Sequence, residues 1–172
     1  MAVGVRLAVV GAHPVPMEMF VPEVPRRGVG QLLDDLAAQL ASEARFLPVR
    51  TANRVRLLAK HAIAWIAITR HEPEAVAAAA AEGQVPAELT IDPVADAPEE
   101  LTLFDHQHFV EIELAHGTKL IGTLLDSAPA DHSRVIDHLN RCGGWVRLWT
   151  TDQHYVINAA QVVAVTELGE VW

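Results

Sequence analysis

The chain has 172 residues, 51% of them apolar, and a formal net charge of −9. This composition supplies a packed core and excludes global disorder. No apolar run reaches the length of a bilayer span, and a single cysteine, Cys142, excludes an internal disulfide and a cysteine-based zinc centre.

The charge is unevenly placed. Residues 1–70 hold nine basic and five acidic side chains (+4), residues 71–118 hold eleven acids and no Lys or Arg (−11), and residues 119–172 hold four basic and six acidic ones (−2). An acidic chain repels nucleic acid and anionic membrane on average, so neither is an expected partner. The positive first segment keeps an anion site open.

The opening twenty residues carry one Arg and a short apolar stretch broken by Gly and Pro. They lack a signal-peptide layout and read as strands over 3–10 and 17–21. A cytoplasmic protein is the expectation. After a loop over 22–28, Leu32, Leu33, Leu36 and Leu40 recur at helical spacing and predict a helix over 31–40. Strands over 46–51 and 55–58 follow as a hairpin with Ala52-Asn53 at its tip, then a last strand over 63–68.

In residues 70–105, Glu72-Pro73-Glu74 opens an alanine-rich helix that stops at Gly83. An acidic stretch with Pro86, Pro93 and Pro98 then has linker composition. Beyond it, apolar and acidic residues alternate over 109–114, the pattern of a half-buried strand. Ala115-His116-Gly117 turns the chain into a second strand over 119–125, and Gly122 inside it predicts a bulge or bend. Asp131 or Ser133 is placed to cap a helix through Asn140, and Gly143-Gly144 ends it. A hairpin over 145–150 and 154–157 and a final strand over 162–166 complete the chain.

These two series are one pattern. RFLPVRTANRVRLLAKHAIAWIA, residues 45–67, superposes without a gap on GWVRLWTTDQHYVINAAQVVAVT, residues 144–166, at a shift of 99. Phe46 falls on Trp145, Leu58 on Ile157 and Ile66 on Val165. The apolar pattern and turn positions repeat rather than the residues. The expected fold is therefore α+β: two tandem ββαββ small-barrel-like modules packed as a pseudo-dimer. The expected domains are a first module over 1–69, a helix-containing acidic linker over 70–105 and a second module over 106–172.

The second copy reads V-x-I-x-L-x-x-G-x-x-L-x-G-x-L, then Arg134, Asp137, Leu139 and Asn140, then W-V-R-L and Y-V-I-N. It resembles an uncharacterised family of small bacterial domains of unknown function, present here in two divergent copies. Its opening strand pair also resembles the Sm-like and SH3-like small barrels. The resemblance covers 109–166 and, more weakly, 3–68. It implies a fold and carries no chemistry. The first copy departs from it, with Asp35 in place of Arg134 and Ala59 in place of Asn158.

Few residues point to chemistry. His106 and His108 are the only close histidine pair, two apart and so on one strand face, and with Asp105 they form a weak candidate metal site lacking an identifiable third ligand. Arg50, Arg54 and Arg56 are the centre of the densest basic set and the candidate ligand-binding residues, for an anion or for the acidic linker. No aromatic residue interleaves with them, which argues against base stacking. Arg134 and Asp137 are spaced to pair on a helix face. Cys142 reads as a small buried residue. No cofactor motif is present: the glycines fit neither a phosphate loop nor a dinucleotide fingerprint. The leading expectation is a non-catalytic protein-interaction or scaffold module, with a protein partner or self-association. The alternatives are a small-ligand or anion sensor using the groove between the copies, and an Sm-like RNA-binding module.

Overall fold

The computed structural model describes residues 2–21, 29–51, 54–69, 106–126 and 134–170. The predicted linker, Asp105 and the candidate caps Asp131 and Ser133 lie outside them.

Alternation builds the first hairpin. Val3, Val5 and Leu7 of Ala2–Val9 (β1) point inward, and Met17 and Met19 of Val15–Phe20 (β2) join them across the antiparallel register Val3↔Met19 and Val5↔Met17. The helix Val29–Ala41 (α1) follows, and Leu32, Leu33, Leu36 and Leu40 are all buried in the same cluster. Its C-terminal carbonyls are held by Lys60, whose Nζ donates to the Gln39 carbonyl at 2.6 Å and the Ser42 carbonyl at 2.9 Å. Phe46–Thr51 (β3) and Arg54–Ala59 (β4) pair in full register, a single turn of 3-10 helix spans Lys60–Ala62, and Ile63–Thr69 (β5) returns to β1.

The second half runs His106–Leu114 (β6), Lys119–Asp126 (β7), helix Val135–Arg141 (α2), Trp145–Trp149 (β8), Gln153–Asn158 (β9), a 3-10 turn Ala159–Gln161 and Val162–Glu170 (β10). Gly143 and Gly144, both at positive φ, end α2 as its sequence implies. Gly122 is buried because β8 comes too close for a side chain: a Cβ there would lie 2.4 Å from the Trp149 carbonyl oxygen and 2.9 Å from Leu148 Cγ.

The ten strands of the described residues form one antiparallel sheet, in the order β10-β6-β7-β8-β9-β5-β1-β2-β3-β4. This corrects the expected architecture. The protein is a sheet-dominated open fold with two helices in the described residues, not two ββαββ small-barrel modules packed as a pseudo-dimer. The run Ile63-Ala64-Trp65-Ile66-Ala67-Ile68 does not close a module. It lies between β1 and β9, paired with both, so the hydrogen-bond ladder continues from one half into the other.

Because β5 is central, both of its faces are covered. Ile63, Ile66 and Ile68 enter the cluster beneath α1, while Ala64, Trp65 and Ala67 enter the cluster of the second half. On β9, Val156 goes to the first cluster and Ile157 to the second. Helix α1 packs across β8 and β9 and is tied there by an ion pair between Asp34 and Arg147. Neither half therefore owns a core.

One buried amide couples the halves further. Asn158 Nδ2 donates to the Ile63 carbonyl at 3.0 Å, and its Oδ1 accepts from the Ala160 N–H at 3.0 Å. Asn158→Ala leaves both backbone groups unpaired and costs about 1–3 kcal/mol in urea unfolding at unchanged m-value. Gly122→Ala costs about 1–3 kcal/mol by overpacking. Wild-type stability in either variant contradicts these roles.

Candidate functional site: the two sheet edges

At the β5·β9 joint, Ile66 pairs with Val156, Ala67 with Tyr155, Ile68 with His154 and Thr69 with Gln153. Trp65 and Tyr155 meet edge to face, ring centroids 5.3 Å apart. Tyr155 is half-buried, and that burial pushes its hydroxyl above the usual phenol range; the nearby Asp152 carboxylate adds to it. Val156, Ile157, His154 and Asn158 are all buried.

The outer strands contrast with this. Among the described residues β4 and β10 each have one strand neighbour. Val55 and Leu57 on β4 are 62% and 67% exposed, and Phe46 on the adjacent β3 is 56% exposed. On β10, Val163 is 65% and Leu168 48% exposed. Each end of the sheet thus offers a backbone edge together with large apolar side chains, the combination that recruits another strand.

The candidate arginines fall at the β4 end but do not converge. Arg50 stands opposite Val55 in the β3·β4 register, whereas Arg54 and Arg56 stand opposite Thr51 and Val49, on the other face. Arg50 Nε donates to the Glu18 carboxylate directly across on β2, and its guanidinium lies 5.9 Å from the Phe20 ring centre. Arg54 and Arg56 are exposed. Of the three candidates, this pair on the outermost strand is therefore the more exposed.

His106 and His108 both lie on β6. His108 is buried, its Nδ1 3.3 Å from Glu167 on β10. No group of three or more metal-ligating side chains gathers among the described residues. Cys142 donates its thiol hydrogen to the Leu139 carbonyl at 3.0 Å, and burial raises its pKa, so little thiolate is present at neutral pH. Among the described residues, no helix is long and apolar enough to cross a membrane.

Val55 and Leu57 carry no motif that marks them as functional in the sequence. Their signal is the alternation R-V-R-L, which puts apolar and basic side chains on opposite faces of a strand whose counterparts at a shift of 99, His154 and Val156, are buried. No family model, curated protein or solved structure matches the chain.

The arginines separate by substitution. Arg54→Gln with Arg56→Gln changes stability by less than about 0.5 kcal/mol, as at an exposed surface. Arg50→Gln costs about 1 kcal/mol, because it strips a largely buried Glu18 of its partner. Equal costs, measured by urea unfolding, contradict the separation.

Proposed function

We propose that the protein is a non-catalytic interaction or scaffold module: an internally duplicated sheet unit that presents its two outer edges to protein partners. The observation that carries this reading is the exposed apolar edge at each end, Val55 and Leu57 on β4, Val163 and Leu168 on β10. Main-chain pairing along such an edge supplies affinity, and alternate side chains supply selectivity.

Matched irregularities support the duplication. The 3-10 turns Lys60–Ala62 and Ala159–Gln161 stand 99 residues apart. So do the bonds from Lys60 N to the Arg45 carbonyl and from Ala159 N to the Gly144 carbonyl. Both last strands carry a register shift at equivalent positions, Ala64 against β1 and Val163 against β6. Each half follows the same strand order, last-first-second-third-fourth. The reading places the protein in the cytoplasm, where Cys142 stays reduced. Nucleic acid has no part in it, given the net charge of −9.

A photo-reactive amino acid at position 57 or 168, introduced in the native cell, is expected to give polypeptide adducts at both edges. The same probe at the exposed Ile121, on the interior strand β7, gives none above background. Nuclease-sensitive adducts, or none at either edge, contradict the reading. A melting-temperature rise of several degrees with a small anion, abolished by Arg54→Gln with Arg56→Gln, replaces it with a sensor.

A further inference from the structure

We propose that the chain associates head-to-tail with further copies of itself, β4 of one chain pairing antiparallel with β10 of the next. This rests on the edge-interaction reading above and names the partner. The joint already inside the chain supplies the pattern. There β9, the fourth strand of its half, pairs with β5, the fifth strand of the other half. A chain with two such halves uses one fourth strand and one fifth strand internally. One of each is left over, and these are β4 and β10, the two ends of the sheet.

The shift of 99 residues transfers the observed register to the new joint. Ile66↔Val156, Ala67↔Tyr155, Ile68↔His154 and Thr69↔Gln153 become Val165↔Leu57, Thr166↔Arg56, Glu167↔Val55 and Leu168↔Arg54. The exposed apolar residues fall where this joint needs them. Val55 and Leu57 correspond to His154 and Val156, which the internal joint buries. Phe46 corresponds to Trp145, which packs against the cluster of the first half. Val163 corresponds to the buried Ala64.

Charge chooses head-to-tail over a symmetric pairing. The β4 edge carries Arg54 and Arg56, and the β10 edge carries Glu167. Two β4 strands side by side bring arginine against arginine, whereas β4 against β10 brings the basic strand against one that carries Glu167, opposite Val55 and on the face away from Arg54 and Arg56. A head-to-tail contact is heterologous, so repetition gives a ring if the rotation closes and a filament otherwise.

The test is complementation between blocked edges, read by sedimentation equilibrium. Wild type is expected to exceed the single-chain mass of 18.7 kDa as concentration rises. Leu57→Lys blocks β4, and Leu168→Lys sets a lysine opposite Arg54; both sites are exposed, so each variant keeps the wild-type melting temperature within about 2 °C. Each variant alone stays at the single-chain mass, its association weakened at least about tenfold. An equal mixture forms a one-to-one complex and stops there, because the first still has β10 and the second still has β4. The proposal is overturned by a wild type that remains a single chain at all concentrations, by variants that associate as wild type does, or by a mixture that does not pair. A single-chain wild type that still cross-links another protein at positions 57 and 168 defeats self-pairing alone. Association unaffected by either variant, with no edge cross-links, defeats the edge reading as well.

Discussion

The pairing of β5 with β9 is the interaction on which the rest of this structure depends. It converts two five-strand halves into one sheet and determines where each core lies. A strand at a sheet edge keeps one side of its backbone solvated, and a strand covered on one face alternates apolar with polar residues. Neither condition holds for β5, so all six residues from Ile63 to Ile68 are buried, split between the two clusters. The Asn158 amide bonded to the Ile63 carbonyl, and helix α1 lying across β8 and β9, are consequences of that placement.

A joint between unlike edges leaves unlike edges over. The outer strands β4 and β10 therefore differ from each other in charge and side chains, yet each resembles an internal strand that is paired. Their exposed apolar residues have little to do with the stability of the single chain. They are the positions at which a further strand gains most, since main-chain bonds form with no rearrangement of the sheet and Val55 and Leu57 are already aligned on one face. The arginines at this edge act in the same frame. Arg50 is committed to Glu18, while Arg54 and Arg56 remain to select what approaches.

Much of the strand pattern was legible in the residues. Period-two alternation located β6, the leucine spacing located α1, and the glycine pair located the end of α2. The sequence reads Gly122 as a bulge or bend; the β6·β7 register runs through it without a shift, and what requires glycine there is the close approach of the Trp149 carbonyl. The architecture was misread at β5. A short apolar run at the end of a unit resembles a closing strand, and local pattern cannot distinguish it from a strand shared between halves, because pairing partners separated by about ninety residues leave no periodicity. Sequence proximity gathered Arg50, Arg54 and Arg56, while the strict face alternation of a hairpin sends Arg50 to one side and the other two to the opposite side. The edge itself was overlooked because exposure of Val55 and Leu57 is a property of strand order, which a single strand does not encode.

If the shared joint makes the two halves one cooperative unit, native-state hydrogen exchange reads it directly. On the edge-blocked single chain, the amides of β5 and β9 are expected to be the slowest, exchanging through the same global opening free energy as the most protected amides of β1 and β6. Two separate plateaus, with β6 to β8 protected at conditions where β1 to β3 have already opened and β5 exchanging with the weaker half, would contradict the account.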